Sequence, residues 1–263
     1  MQKIAHSDWK QVWRSNSKIP AWDYLSQVIL SVLESEICSF QNKNILEAGS
    51  GTGRISLRLA KKGAKVYLMD NELEAITFSG RVFDKAKMPA FFTLASILDM
   101  PYASNSFDIV WNAGVIEHFT GDVQKTSVKE MLRVCKKEGL VVTLNPYAKS
   151  LLHSIGKFII ERIADYPFAD EVPVTTLSVY APELGCRLKK SEFSVGFIVF
   201  IPGMFKRLSL LPVGFIFNPL LEVCNKLFCL LDNSFLRKPL RRIDLWLSRI
   251  FGGYLLVTVF EKL

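Results

Sequence analysis

Apolar positions along the chain follow two alternating rhythms. "NILEAG" (44–49) is a short apolar run of strand type, and "RISLRLAKKG" continues it at helical spacing until Gly63 closes the segment. "AKVYLMD" (64–70) reads as a second buried strand. Asn71 as N-cap and Glu74 as its N3 partner predict a helix reaching about Lys87. "AFFTLAS" (90–96) and "FDIVWNAG" (107–114) supply a third and a fourth strand, "TSVKEMLRVCKKEG" has helical period, and "LVVTLN" (140–145) is a fifth strand. Strands that alternate with helices pair in parallel through right-handed crossovers, so a doubly wound α/β sheet is predicted. Ligands of such sheets sit at the carboxyl ends of the strands, near the point where strand order reverses.

The flanks break this rhythm. Residues 1–42 read as a helical cap, and residues 43–200 as the core, with a long strand candidate at "EFSVGFIVF" (192–200). "GGYLLVTVFEKL" (252–263) returns as a closing strand, which makes the predicted sheet seven-stranded and mostly parallel with an antiparallel last strand. Between them, residues 201–251 form an apolar and basic insertion. Pro212, Asn218, Pro219, Glu222 and Lys226 interrupt every window long enough to span a bilayer. One or two amphipathic helices are expected instead, with a basic cluster at Arg237, Lys238, Arg241 and Arg242. That pattern suits a helical lid packed on the domain, or contact with an anionic membrane surface.

Composition narrows the class. With 263 residues, 49% hydrophobic and 22% charged, the chain fits one elaborated globular domain. A net charge of +8 favours an anionic partner. The positive charge lies among apolar residues rather than on a polar face with exposed aromatics, so nucleic acid is not the expected acceptor. Five cysteines without a C-x-x-C pair, behind an N-terminus without an apolar leader, point to reduced thiols in the cytoplasm. Oligomeric state is left open.

The chemistry begins at "EAGSGTGR" (47–54). Its spacing, Gly49-x-Gly51-x-Gly53 followed by Arg54, matches neither the dinucleotide fingerprint nor the P-loop. Asp70 ends the second strand, 21 residues past Gly49, where a carboxylate can hold a ribose diol. An acid beside the glycines, Glu47, is awkward for a pyrophosphate and useful for a ligand that carries an ammonium. An NAD(P)-dependent oxidoreductase is the competing enzyme class, and a non-catalytic membrane-surface binding protein of the same fold is a third reading.

Three stretches, "ILEAGSGTGRISLRLAKKGAKVYLMD", "LASILDMPYASNSFDIVWNAGVIEHF" and "VKEMLRVCKKEGLVVTLNP", resemble in order the motifs of class I S-adenosylmethionine-dependent methyltransferases of the small-molecule type. The resemblance covers about residues 40–146 and the terminal strand pair. It implies a Rossmann-like fold and S-adenosylmethionine as cofactor, with methyl transfer to a small, hydrophobic or lipid-linked molecule. It implies that Glu47, Gly49, Ser50, Gly51 and Gly53 embrace the methionine portion and that Asp70, with Asn71 beside it, holds the ribose. Ser96 falls where the family's adenine-binding acid stands, with the Ile97 backbone next to it. Asp99 is three residues late. Asn112 and Ala113 would face the sulfonium.

Several further residues are candidates with two readings each. "GVIEHF" (114–119) is similar to the Glu-x-x-Glu-His metal motif of ubiquinone-biosynthesis O-methyltransferases, but Gly114 replaces the first glutamate. Glu117 and His118 alone are too few for a closed divalent site, so no metal is expected. His118 is a candidate general base or a structural histidine. Tyr147 reads as part of a strand-stopping turn at Pro146 that also lines the substrate side. Tyr166, Asp170 and Glu171 are candidate acceptor contacts or loop. Trp9 and Trp13 share one helical face that either closes over the ligand or packs in the core.

Overall fold

The computed structural model describes residues 21–163, 171–208 and 214–263. The first described helix is α1 (Tyr24–Glu36), whose N-terminus is capped by the Asp23 carboxylate accepting from the Ser26 N–H. The core then runs β1 (Asn44–Ala48), α2 (Arg54–Ala60), β2 (Lys65–Asp70), α3 (Leu73–Ala86), β3 (Phe91–Leu94), β4 (Phe107–Ala113), α4 (Asp122–Val134) and β5 (Cys135–Pro146). After α5 (Leu151–Ile163) come two short strands, β6 (Cys186–Leu188) and β7 (Phe193–Val195). The helices α6 (Phe200–Leu208), α7 (Asn218–Asp232) and α8 (Arg237–Phe251) precede β8 (Leu255–Lys262).

One eight-stranded sheet has the order β3-β2-β1-β4-β5-β8-β6, with β7 also paired to β8. β1 through β5 are parallel to one another, and β8 is antiparallel to β5, β6 and β7. The doubly wound expectation holds, and the strand count rises from seven to eight. The predicted long strand at 192–200 is only three residues, because the chain turns at Gly196. The Asp244 carboxylate of α8 takes the Gly196 and Ile198 N–H groups at 2.8 Å each, which would otherwise continue the ladder. β5 starts earlier than predicted because Cys135 already pairs with Phe107.

Helices cover both faces of the sheet, so its central strands are apolar almost throughout. On one face α1, α2 and α3 bury Tyr24, Leu33, Leu59 and Phe83 against Ile45, Trp111 and Val257. On the other, α4 and the segment near Leu177 bury Met131 and Val128 against Leu46, Val110 and Phe260. The closing strand fits only because Gly253 lacks a side chain. A Cβ there would lie 2.4 Å from the Val195 carbonyl oxygen and 2.6 Å from its carbonyl carbon and nitrogen. Backbone cannot yield as a side-chain tip can. Gly253→Ala is expected to destabilise the fold by about 3 kcal/mol, lowering Tm by roughly 6–12 °C in thermal unfolding followed by circular dichroism.

Candidate functional site

The strand order reverses between β1 and β4, and the predicted cofactor residues converge at that carboxyl end. The glycine loop is knitted to the end of β2. Gly49 and Ser50 N–H both donate to the Met69 carbonyl (2.7 and 2.9 Å), Gly51 N–H donates to Asp70 Oδ2 (2.9 Å), and Gly53 N–H to the Ser50 carbonyl (2.8 Å). A pyrophosphate loop aims its amides at the ligand, whereas these four are engaged within the protein. Gly49 sits at φ 82°, and a Cβ on it would meet Val115 Cγ2 at 2.3 Å. The loop therefore closes directly on the residue that follows β4 and Gly114.

Glu47 comes off β1 beside this loop and is 5% exposed, and its Oε2 has no protein partner. Burial pushes its carboxyl up to about 8 against the opposing pull of Ser56, with the nearby Asp70 charge adding to the rise. The Ser50 hydroxyl is buried there without a partner as well. Asp70 accepts from Gly51 through Oδ2 and from the Glu72 N–H through Oδ1 (3.1 Å). Burial raises its carboxyl above the ordinary value, and those amides act in the opposite sense. Asn71 is exposed, and the cap of α3 falls on Glu72 rather than on Asn71 because Asp70 captures the Glu72 amide.

These residues suit the charges of S-adenosylmethionine. A buried acid with one unpartnered oxygen could take a ligand ammonium, and a second carboxylate, already oriented by the loop, has lone pairs that could take a ribose diol. At the position expected to meet the adenine, the Ala95 N–H donates to the Asp70 carbonyl (2.9 Å), which sets Ser96 close to the end of β2. Ser96 is exposed and its hydroxyl accepts from the Leu98 N–H, while Ile97 is buried. Asp99 closes the turn through its N–H to the Ser96 carbonyl (3.2 Å). Asn112 is fully buried on the α4 face, its amide against Met131 Sδ at 3.7 Å and its register partner Thr143. Ala113 is half-buried, on the opposite face.

Beyond β4 a 3₁₀ turn (Ile116–His118) carries Glu117 and His118. The chain returns here along 172–174. Val172 N–H donates to the Glu117 carbonyl (3.0 Å), Val174 N–H to that of Pro146 (2.8 Å), and Ala148 N–H to that of Val174 (3.0 Å). The Glu192 carboxylate anchors the next residues by accepting from the Leu177 and Ser178 amides and from the Thr258 hydroxyl. Burial alone would raise that carboxyl, but these donors and Thr176 hold it below the usual range. The strap brings Glu171 to the turn, so donor atoms of Glu117, His118 and Glu171 all lie within 4.8 Å of one another. The sequence offered two metal-type donors; the fold assembles three, a set that could hold a cation.

Tyr147 lines a cavity of about 1500 Å³ that runs between α1, β7 and α8. Trp13, Tyr166 and Asp170, and with them Trp9, lie outside the described residues. Sequence reasoning placed Asn145 only at the end of the fifth strand and the turn at Pro146, with no site role. It is fully buried next to the end of β4, and neither its amide oxygen nor its nitrogen has a protein partner. A polar side chain one residue before the strand-stopping Pro146 was the available signal.

A family model described as a methyltransferase domain matches residues 46–143, and one described as a lysine methyltransferase matches residues 2–82. The chain is 34% identical over 128 residues to the ubiquinone/menaquinone biosynthesis C-methyltransferase UbiE of Rickettsia bellii, an alignment covering 44% of this chain and 50% of that protein. It thus spans about half the length of the curated relatives it matches first. Among solved structures, magnesium protoporphyrin IX methyltransferase ChlM from Synechocystis PCC 6803, with bound SAH, superposes with TM-score 0.55 at 14% identity, covering 70% of this chain and 87% of that one. The 4+2 cyclase SpnF superposes with TM-score 0.61 at 15% identity, covering 94% and 85%. A cyclase on this fold is a reminder that the fold alone does not name the chemistry. The methyltransferase-domain match over residues 46–143, the C-methyltransferase relatives and the shared architecture together support a class I S-adenosylmethionine-dependent methyltransferase.

Proposed function

We propose that the protein transfers the methyl group of S-adenosylmethionine to a small, hydrophobic or lipid-linked acceptor in the cytoplasm, by in-line displacement. The observation that carries this reading is the buried Glu47 carboxylate beside a glycine loop whose amides are already engaged. It provides for an ammonium and withholds those amides from a pyrophosphate, which also argues against an NAD(P)-dependent oxidoreductase. When bound, the cofactor supplies an electrophilic methyl carbon on a positively charged sulfur, so alignment matters more than a strong base. Glu47 binds the amino-acid end, Asp70 orients the ribose, and Gly49 with Val115 forms the floor between them. His118, on the 3₁₀ turn beyond β4, is the side chain assigned to take the proton of an acceptor hydroxyl or amine.

Two features support a hydrophobic acceptor. The cavity that Tyr147 lines also carries Val28, Phe193, Leu245 and Phe251, with charged groups of both signs among them, Lys149 and Lys190 beside Glu34 and Glu192, a lining with room for an apolar body. The relatives are named for ubiquinone and menaquinone biosynthesis, which points to a lipid-soluble acceptor. The test is incubation with methyl-labelled S-adenosylmethionine and a fractionated cell extract. Label is expected in the organic-soluble fraction. Label confined to nucleic acid or protein would overturn the acceptor class, and no label anywhere despite intact S-adenosylhomocysteine binding would overturn the activity. In the same assay His118→Ala is expected to lower kcat by about 10²-fold while S-adenosylhomocysteine affinity, read by calorimetry, stays unchanged.

A further inference from the structure

Helices α7 and α8 face solvent with the wrong residues for solvent. On α7 the exposed positions are Leu220, Val223, Leu227 and Leu230, spaced by three and four residues, so they form one stripe along the helix. Val223 is 61% and Leu230 68% exposed. On α8 the exposed stripe is Ile243, Trp246 and Ile250, with Trp246 61% exposed, and Phe235 between the helices is 89% exposed. Ile201 and Met204 of α6, a helix that packs against α7, are exposed as well. A patch of this extent is not ordinary monomer surface.

The exposed charges around the patch are mostly positive. Of the basic cluster, Arg237 turns inward to Glu34 (2.6 Å) and Arg241 to the fully buried Asp232 (2.6 Å), tying α8 to α1 and α7. These ion pairs orient the helix pair and leave its apolar side facing out. Lys226, Lys238, Arg242 and Arg249 are exposed along the same helices. Glu222, paired with Lys226, is the one exposed acid among the described residues of α7 and α8. Each helix has 15 residues, about 22 Å at 1.5 Å per residue, too short for a hydrocarbon core of about 30 Å. No described helix is long and apolar enough to cross a membrane. Apolar stripes, a protruding tryptophan and flanking cations on short helices fit the headgroup boundary of a bilayer.

We propose that the outer face of α7 and α8 is a peripheral docking surface for anionic lipid bilayers, with Val223, Leu230, Phe235 and Trp246 inserted among acyl chains and Lys238, Arg242 and Arg249 on the headgroups. The inference goes beyond the methyl-transfer reading and is tested without it. The full chain is floated with vesicles of phosphatidylcholine alone or of phosphatidylcholine with phosphatidylglycerol. Flotation with the anionic vesicles is expected, falling steeply with added salt. The double variant Val223→Glu, Trp246→Glu is expected to partition about tenfold or more weakly, and Lys238→Glu, Arg242→Glu to lose the preference for anionic lipid. S-adenosylhomocysteine affinity and the circular dichroism spectrum should be unchanged in both, which separates lost docking from lost folding and from failure of the active-site reading. Absence of flotation by the folded wild type would overturn the proposal. So would a solution dimer, seen by light scattering, that the Val223→Glu, Trp246→Glu pair dissolves, because a second copy would then cover the face.

Discussion

Asp70→Ala is expected to weaken S-adenosylhomocysteine binding by about 10²-fold or more, the largest loss for any single side chain outside the loop glycines. The carboxylate has two functions that a methyl group cannot replace. It is the acid at the β2 end with lone pairs left for the ribose diol, and a charged hydrogen bond of that kind contributes about 1.5–3 kcal/mol. It also accepts the Gly51 and Glu72 amides, at 2.9 and 3.1 Å, and so fixes the loop that follows β1 and Glu47. Asp70→Asn keeps one acceptor oxygen but must turn an NH2 toward one of those amides, so its loss should be intermediate. Isothermal titration gives both affinities, and the unfolding temperatures show whether the loop alone has loosened. Unaltered affinity in Asp70→Ala would remove the basis for placing the cofactor here. NADH should show no saturable binding to wild type.

The part of this site that was legible in the sequence is the part built from local signals. The strand, turn and helix around Glu47 and the end of β2 at Asp70 each follow from short-range periodicity and glycine spacing, and parallel pairing of β1 with β2 brings them together. What could not be read depends on contacts between distant segments. β6 and β7 have three residues each, too few to show alternation, and exist only as partners of β8. The end of β7 is decided by Asp244, far along the chain on α8. Glu171 joins Glu117 and His118 through a backbone hydrogen bond of Val172, which no spacing rule encodes. The insertion shows the same limit. Its helices are apolar on more than one side, and the inward ion pairs of Arg237 and Arg241 decide which side is left outside.

The pH dependence of cofactor binding is expected to carry the mark of Glu47. With its carboxyl at about 8 in the unliganded protein, most molecules hold it neutral at pH 7, whereas a ligand ammonium needs the carboxylate. Binding must then expel a proton. Affinity for S-adenosylhomocysteine should rise about tenfold from pH 6 to 7 and level off above about 8, with close to one proton released per ligand at pH 7. Calorimetry in two buffers of different ionisation enthalpy measures that release directly. Stability of the unliganded protein moves the other way. The group titrates higher in the folded chain than in the unfolded one, so the stabilisation it contributes is complete below the ordinary carboxylate value and is lost as pH rises through about 8. Tm without ligand should therefore fall across pH 5–8 while the Tm increment produced by the ligand grows. Glu47→Gln keeps the shape and cannot ionise. It should flatten both trends, abolish the proton release, and weaken binding at pH 8 by about 10²-fold. An affinity that is flat from pH 6 to 8 in wild type, with no proton released, would mean that the ammonium is held elsewhere and that the buried acid beside the glycine loop serves only the fold.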